Sequence, residues 1–431
     1  MTPGTESLIR LDRQYLWHPF TQMKGWCDPA YEPLVLVEGD GAILRDSEGR
    51  EYIDGNSSIW TNVHGHRHPA ITAAMKAQLD KVAHVSFLGT TNEPAIRLAE
   101  KLVNLLPAGD YSRVFFTDNG STAIEVAVKM TLQYWQLMGR PEKNRFVAFD
   151  NAYHGDTVGA ASLGGVSAFT QRFAPVHFAI ERVDSTDALA RLEANKIAAI
   201  IIEPMVQGAA GIRLWPEGTL RRLREWCDAN EVLLILDEVL TGFGRTGKMF
   251  ACQHDGVRAD FLCLAKGLTG GYIPLAATLT NEGIYSAFLG EYQDLKTFFY
   301  GHSFCGNPVG CAAALASLEV FESERTLLHL QNKIGHLTKL LSRVRHNAYV
   351  FEARQLGFIS GIEIRNLDGT PFDWTQQTGA RVCQRAREYG LLTRPVLDTL
   401  VFMPPYCITT EQMDAAFVAL DRAITDVCTK G

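Results

Sequence analysis

The sequence predicts an α/β protein with a large domain on a mostly parallel central sheet and a smaller α+β domain built from both chain ends. Three observations carry this. Short runs that are apolar on both faces alternate with helical patterns, which is how buried parallel strands read. Each run stops at a polar or chemically capable residue. After about residue 325 the pattern changes to that of a smaller α+β unit.

Taken along the chain, residues 34–54 read as strands of the smaller unit, with hairpin signals at Glu38-Gly-Asp-Gly41 and Asp46-Ser-Glu-Gly49. Arg113-Val-Phe-Phe-Thr117 is a strand that turns at Asp118-Asn-Gly-Ser121 into a helix to about Met138. On that helix Ile124, Val128, Leu132 and Trp135 share one face. Glu125, Lys129 and Gln133 mark the wet face, with Glu125 and Lys129 spaced to pair. Phe146–Phe149 leads into Asp150-Asn-Ala-Tyr-His-Gly155. Ala198–Ile202 ends at Glu203, Val232–Leu236 at Asp237, and Phe261–Ala265 at Lys266. Residues 309–324 form a long helix leaving the large domain. Beyond it, Leu356–Ile364 and Leu400–Met403 read as strands, and Thr409-x-x-Gln412 is a capping box for a helix to about Cys428. The expected division is an N-terminal segment, 1–60, that joins the small domain, a large domain, 61–325, and a C-terminal small domain, 326–431.

Composition narrows the function. The chain has 431 residues, 46% hydrophobic and 21% charged, ordinary for a globular protein with a sizeable core. Lys and Arg total 41 against 48 Asp and Glu, a net charge of −7, which argues against a nucleic-acid partner. The start lacks a signal-peptide pattern, and no apolar run approaches the roughly 18 residues of a membrane span. Nine cysteines without a CxxC pair indicate neither a disulfide framework nor a zinc ribbon. A cytoplasmic enzyme acting on small molecules, away from membranes, is the expectation.

In open α/β sheets, ligands bind beyond the carboxyl ends of the strands. Here those ends carry Asp118–Ser121, Glu203, Asp237 and Lys266. A lysine at the end of a buried strand is partly desolvated, which lowers its pKa and frees the amine to attack a carbonyl. Asp237 needs a cationic partner at that depth, and a protonated pyridine nitrogen is one; a turn cap through Thr241 or a backbone N–H is the plainer role. Backbone N–H groups at Gly120 and Ser121 suit a phosphate, although Ser121 as an ordinary N-cap fits equally. Tyr153 offers a ring to cover a flat cofactor, or a core aromatic.

Two motifs are set aside. Gly242-Phe-Gly-Arg-Thr-Gly247 matches GxGxxG, but no strand turns directly into a helix there, so a nicotinamide oxidoreductase is disfavoured. His64-Gly-His-Arg-His68 has no nearby Cys, Asp or Glu to complete a metal site, and no metal is expected.

The motif Leu236-Asp-Glu-Val-Leu-Thr-Gly-Phe-Gly-Arg-Thr-Gly247, followed by Leu264-Ala-Lys-Gly267, resembles the signature of the class III pyridoxal-phosphate aminotransferases of fold type I. Trp17–Met23, Asp54–Trp60, Tyr153–Thr157, Met205–Gly208, Gly301–Pro308 and Met403–Tyr406 make the likeness closest to the biotin-pathway members that act on 8-amino-7-oxononanoate. It runs over nearly the whole chain.

The resemblance implies pyridoxal 5′-phosphate as cofactor. Lys266 would hold it covalently and shuttle the proton, Asp237 would pair with the pyridine nitrogen, and Tyr153 would stack on the ring. Gly120 and Ser121 would bind the phosphate, with Glu203 beside the cofactor. Ser303 and His302, in the loop Phe298–Phe304, would reach the cofactor of a neighbouring subunit, which makes a homodimer with shared sites. Phe20, Ile59, Trp60, Tyr153, Lys266 and Gly301 would line the substrate channel, and Arg394 would grip the acceptor carboxylate. Three positions depart from the pattern of adenosylmethionine-using members: Phe20 replaces a tyrosine, Ile59 a tryptophan and His302 a proline. The implied donor is S-adenosylmethionine, with L-lysine as the alternative; an aminomutase on the same fold is a further one.

Overall fold

Seven strands form the central sheet, in the order Arg113–Thr117, Ala276–Thr280, Phe261–Leu264, Leu233–Asp237, Ile197–Ile202, Arg145–Phe149 and Glu181–Val183. The computed structural model describes residues 1–429. Ala276–Thr280 runs antiparallel to both neighbours, and the other pairings are parallel. Every residue of Ile197–Ile202, Leu233–Asp237 and Phe261–Leu264 is buried, because helices cover both faces of the sheet. The register sets Asp237 opposite Cys263, and so brings two polar strand ends, Asp237 and Lys266, to one edge.

The helix after the first central strand spans Gly120–Leu137, and Ile124, Val128 and Trp135 are buried as expected. Its cap differs from the expected one. Asn119, not Ser121, is the N-cap, and it forms a capping box with Thr122. The anticipated Glu125–Lys129 pair is also absent. Glu125 instead accepts the N–H groups of Gly159 at 2.8 Å and Ala160 at 3.3 Å. These are unpaired donors in the first turn of helix Val158–Leu163, where a carboxylate meets both the free N–H groups and the positive end of the dipole. Lys129 lies over the Tyr300 ring, 4.5 Å from its centroid.

Helix Pro308–Ser323 packs on Pro69–Leu79 and Glu93–Asn104 and hands the chain to Thr326–Val344. A four-stranded sheet follows, in the order Val350–Leu356, Ile359–Ile364, Thr399–Phe402 and Pro395–Val396. The stretch 356–364 is therefore not one strand. The chain reverses at Gly357, which has φ +57°, and Phe358 turns into the core. Strand Val350–Leu356 escapes a sequence reading because its burial pattern is that of a half-exposed edge. Strands Leu36–Asp40, Ile43–Asp46 and Glu51–Asp54 form a separate sheet that takes in Leu391–Leu392 in parallel, so the two chain ends meet. The final helix, Thr410–Cys428, opens with the Thr409–Gln412 capping box.

Candidate active site

A cavity of about 400 Å³ opens at the carboxyl edge of the central sheet. Its walls include Gly120, Ser121, Tyr153, Glu203, Asp237, Lys266 and Trp60. Gly120 and Ser121 share the turn after Arg113–Thr117. Tyr153, Glu203, Asp237 and Lys266 each end or follow a different central strand, and Trp60 comes from outside that sheet.

Lys266 follows strand Phe261–Leu264 and sits in the left-handed region, with φ 45°. Burial pushes its amine below the ordinary lysine range, while Asp237 and Glu203 pull the other way. Among the described residues its Nζ makes no hydrogen bond; it faces the Trp60 indole, 4.9 Å from the centroid. An amine so placed has N–H groups uncommitted among the described residues, and its lowered pKa favours the unprotonated, nucleophilic form.

Asp237 accepts a hydrogen bond through Oδ2 from His154 Nδ1 at 2.8 Å, and through Oδ1 from the Val239 N–H at 3.1 Å. The His154 side chain is fully buried, and its Nε2 has no hydrogen-bond partner among the described residues. Sequence reasoning quoted His154 between Tyr153 and Gly155 without giving it a role. The need of a buried Asp237 for a donor was the signal that could have found it.

Glu203 follows Ile197–Ile202 and is buried. Oε1 accepts the Tyr153 N–H at 3.0 Å and Oε2 the Gly208 N–H at 2.9 Å. Burial, aided by the nearby Asp237 charge, raises its pKa to about 7, with His154 opposing. Tyr153 forms one wall and donates its hydroxyl to Asp156 at 2.5 Å; burial and that carboxylate raise its pKa.

The start of helix Gly120–Leu137 lines the same cavity through Asn119, Gly120 and Ser121. Two glycines make this approach possible. A Cβ on Gly120 would lie 2.7 Å from Val239, and one on Gly155, at φ +121°, would lie 2.1 Å from Ser121 Oγ. Ser121 Oγ accepts the Asp156 N–H at 3.2 Å. The pieces fit pyridoxal phosphate: an uncommitted amine, a carboxylate for a ring nitrogen, an aromatic wall and a helix start for a phosphate.

Other expected site residues lie off this cavity in a single chain. Phe20 is 63% exposed and touches Phe169 edge-on at 5.4 Å, which in turn meets Tyr153 at 6.0 Å. Ile59 is 48% exposed beside Trp60. Gly301 and Ser303 are exposed, and His302 Nε2 lies 3.6 Å from Asp118 at the rim. Arg394 is exposed between the short strands Leu391–Leu392 and Pro395–Val396. Leu240, Ala209 and Ile273 line the cavity without having been singled out. The three clustered histidines are engaged separately: His64 with Ser317 Oγ, His66 with Asp54 and His68 with Glu324. Among the described residues no group of three His, Cys, Asp or Glu is disposed to hold a metal.

The Gly242–Gly247 segment is a buried turn with no helix directly after it; Arg245 Nη1 within it donates to the Pro404 carbonyl at 2.8 Å.

Residues 27–424 match the model of the class-III aminotransferase family. A Geobacter sulfurreducens protein named adenosylmethionine-8-amino-7-oxononanoate aminotransferase is 45% identical, covering 98% of each chain. A protein of the same name from Aquifex aeolicus is 43% identical, again over 98% of each. The crystal structure of the adenosylmethionine-8-amino-7-oxononanoate aminotransferase from Methanocaldococcus jannaschii superposes with TM-score 0.95 at 38% identity, covering 98% of this chain and 99% of that one. An amine transaminase from an uncultivated Pseudomonas species, in its PLP-bound form, gives 0.88 at 33% identity, with 96% and 99% covered.

Proposed function

This chain belongs to the class-III aminotransferases, and from that membership we propose that it aminates the ketone of 8-amino-7-oxononanoate to give 7,8-diaminononanoate, in biotin biosynthesis. The cofactor is pyridoxal 5′-phosphate. The observation that carries the chemistry is the Lys266 amine, which has no hydrogen-bond acceptor among the described residues and lines the cavity together with Asp237.

Pyridoxal phosphate, when bound, supplies an aldehyde that condenses with amines and a protonated ring that accepts electron density from a substrate carbon. The residues have separate tasks. Lys266 Nζ takes a proton from the amine-bearing carbon of the donor and returns one to the carbon that was the acceptor's ketone. Burial keeps a larger share of that amine unprotonated than an exposed lysine would have. Asp237, oriented by His154, offers its charge to the ring nitrogen. Gly120 and Ser121 would hold the phosphate at the helix start, and Tyr153 would cover the ring. Glu203 braces the Tyr153 and Gly208 backbones on either side. Arg394 would hold the acceptor carboxylate through paired N–H donors.

A homodimer in the cytoplasm belongs to the same proposal. Gly301, His302 and Ser303 lie off their own chain's cavity, and the apolar Leu88, Phe299 and Phe304 are exposed. A second copy that buried them would bring its loop to this site. S-adenosylmethionine is the proposed donor. L-lysine is the second reading, favoured by the exposed Phe20 and Ile59, which stand where the pattern of adenosylmethionine-using members has a tyrosine and a tryptophan.

The test is incubation of the purified holoprotein with 8-amino-7-oxononanoate and each donor, with mass spectrometric detection of product. Diaminononanoate formed with either donor is expected. No product with both would overturn the acceptor assignment.

A further inference from the structure

Trp60 reaches the cavity from a turn that needs external support to persist. Ser57, Ser58 and Trp60 have φ of 48°, 62° and 70°, and none is glycine. Ile59 between them is at φ −137° and ψ 67°. Such backbone survives only where surrounding groups over-determine it. One carboxylate does most of this. Asp54, 1% exposed at the end of strand Glu51–Asp54, accepts the Asn56 N–H at 3.1 Å and the Ser58 N–H at 3.2 Å through Oδ1. Its Oδ2 accepts the Ser58 N–H at 3.1 Å and His66 Nε2–H at 2.9 Å. Asn62 Nδ2 donates to His66 Nδ1 at 3.0 Å, which leaves the imidazole proton on Nε2, facing Asp54.

The support continues to the indole. Asn56, whose backbone Asp54 holds, accepts Trp60 Nε1–H through Oδ1 at 3.0 Å. Ser57 Oγ donates to the Met403 carbonyl at 2.8 Å and ties the turn to the small domain. The indole face then stands 4.9 Å from Lys266 Nζ.

We propose that Asp54, steadied by His66, is a positioning residue for the transamination: it locks the strained turn and so holds the Trp60 indole as the wall against which substrate packs beside Lys266. The statement about substrate rests on the function proposed above; the statement about the turn does not. Asp46 is an internal comparison. It is a buried carboxylate of the same sheet that accepts from Glu48, Arg50 and Tyr52, yet its hairpin contributes nothing to the cavity wall.

The experiment compares Asp54→Asn, Trp60→Phe, the double variant and Asp46→Asn as holoenzymes, by amide hydrogen exchange and by acceptor kinetics. Asp54→Asn is expected to speed exchange at residues 56–60 while residues 43–53 stay unchanged. It should also lower kcat/KM for the keto acceptor by about 10- to 100-fold, the scale of a misplaced contact. Adding Trp60→Phe should cost little more, because both act through one indole. Unchanged exchange at 56–60, losses that multiply in the double variant, or an equal kinetic loss in Asp46→Asn would each overturn the proposal. If Asp54→Asn does not fold, His66→Ala removes a single bond to the carboxylate. It should give the same pattern at about threefold, and no change at either readout would again overturn it. Should the wild type fail to turn over the acceptor, the functional reading falls, while the exchange data still decide the role of Asp54.

Discussion

The two edges of the central sheet each hold a lysine, and they are treated in opposite ways. At the amino-terminal edge Lys143 is 1% exposed, and its Nζ donates to the carbonyls of Glu231 at 2.7 Å, Asn230 and Ile197 at 3.3 Å, and Ala194 at 3.4 Å. The Trp135 ring lies 4.7 Å away. An ammonium has three hydrogens, so four acceptors leave it fully committed. At the carboxyl-terminal edge Lys266 has an indole face and no acceptor among the described residues. Burial lowers the pKa of both amines. Desolvation alone therefore does not make a reactive lysine. What separates them is whether the backbone around the amine consumes it, and that depends on which edge of the sheet the residue occupies. Strand starts bring carbonyls together at one edge, whereas strand ends open a cavity at the other.

The comparison breaks most visibly through substitution of the two lysines. Lys266→Met should lower transamination by about 10³-fold or more, with thermal stability close to the wild type. Lys143→Met should do the reverse, costing about 2–4 kcal/mol of stability by stranding buried carbonyls, while kcat per folded molecule stays within about twofold. Steady-state kinetics and denaturant unfolding check both. Equal loss of activity in the two variants would dissolve the distinction.

Glu203 sharpens it next. In the folded chain its pKa is about 7, above the 4.5 of an ordinary glutamate. Between those values the folded chain binds more protons than the unfolded one, so its contribution to stability is present below about 4.5 and is lost as pH rises toward 7. Unfolding of the cofactor-free protein across that range should show the wild type losing roughly 3 kcal/mol relative to Glu203→Gln. Parallel stability curves would contradict it. The smallest expected effect lies on helix Gly120–Leu137. Glu125→Gln should cost about 0.5–1 kcal/mol through the docked N-terminus of Val158–Leu163, and its coupling to Lys129→Ala in a double-mutant cycle should be near zero.

Much of this architecture could be read in the chain beforehand, and the exceptions have physical causes. The five central strands that end at Asp118, Asp150, Glu203, Asp237 and Lys266 announced themselves through unbroken apolar runs. Glu181–Val183 is too short for that, and Ala276–Thr280 is built from Ala, Thr and Leu. Lys266 and Asp237 were legible because chemistry at strand ends follows from sheet topology. His154 was not, since its bond to Asp237 spans 83 residues and no local pattern encodes it. The Trp60 turn was equally hidden, as serines and a tryptophan at positive φ violate propensity and persist only through Asp54. Phe20, Gly301, Ser303 and Arg394 came from resemblance, and their proposed roles would need a second copy or bound substrate.

In the proposed function Lys266, and not a satisfied lysine such as Lys143, would carry the cofactor. Borohydride reduction of the holoprotein, followed by peptide mass mapping, tests it most directly. A pyridoxyl phosphate mass on the peptide containing Lys266 alone is the predicted result. The same mass on any other lysine, or on none, would contradict the account.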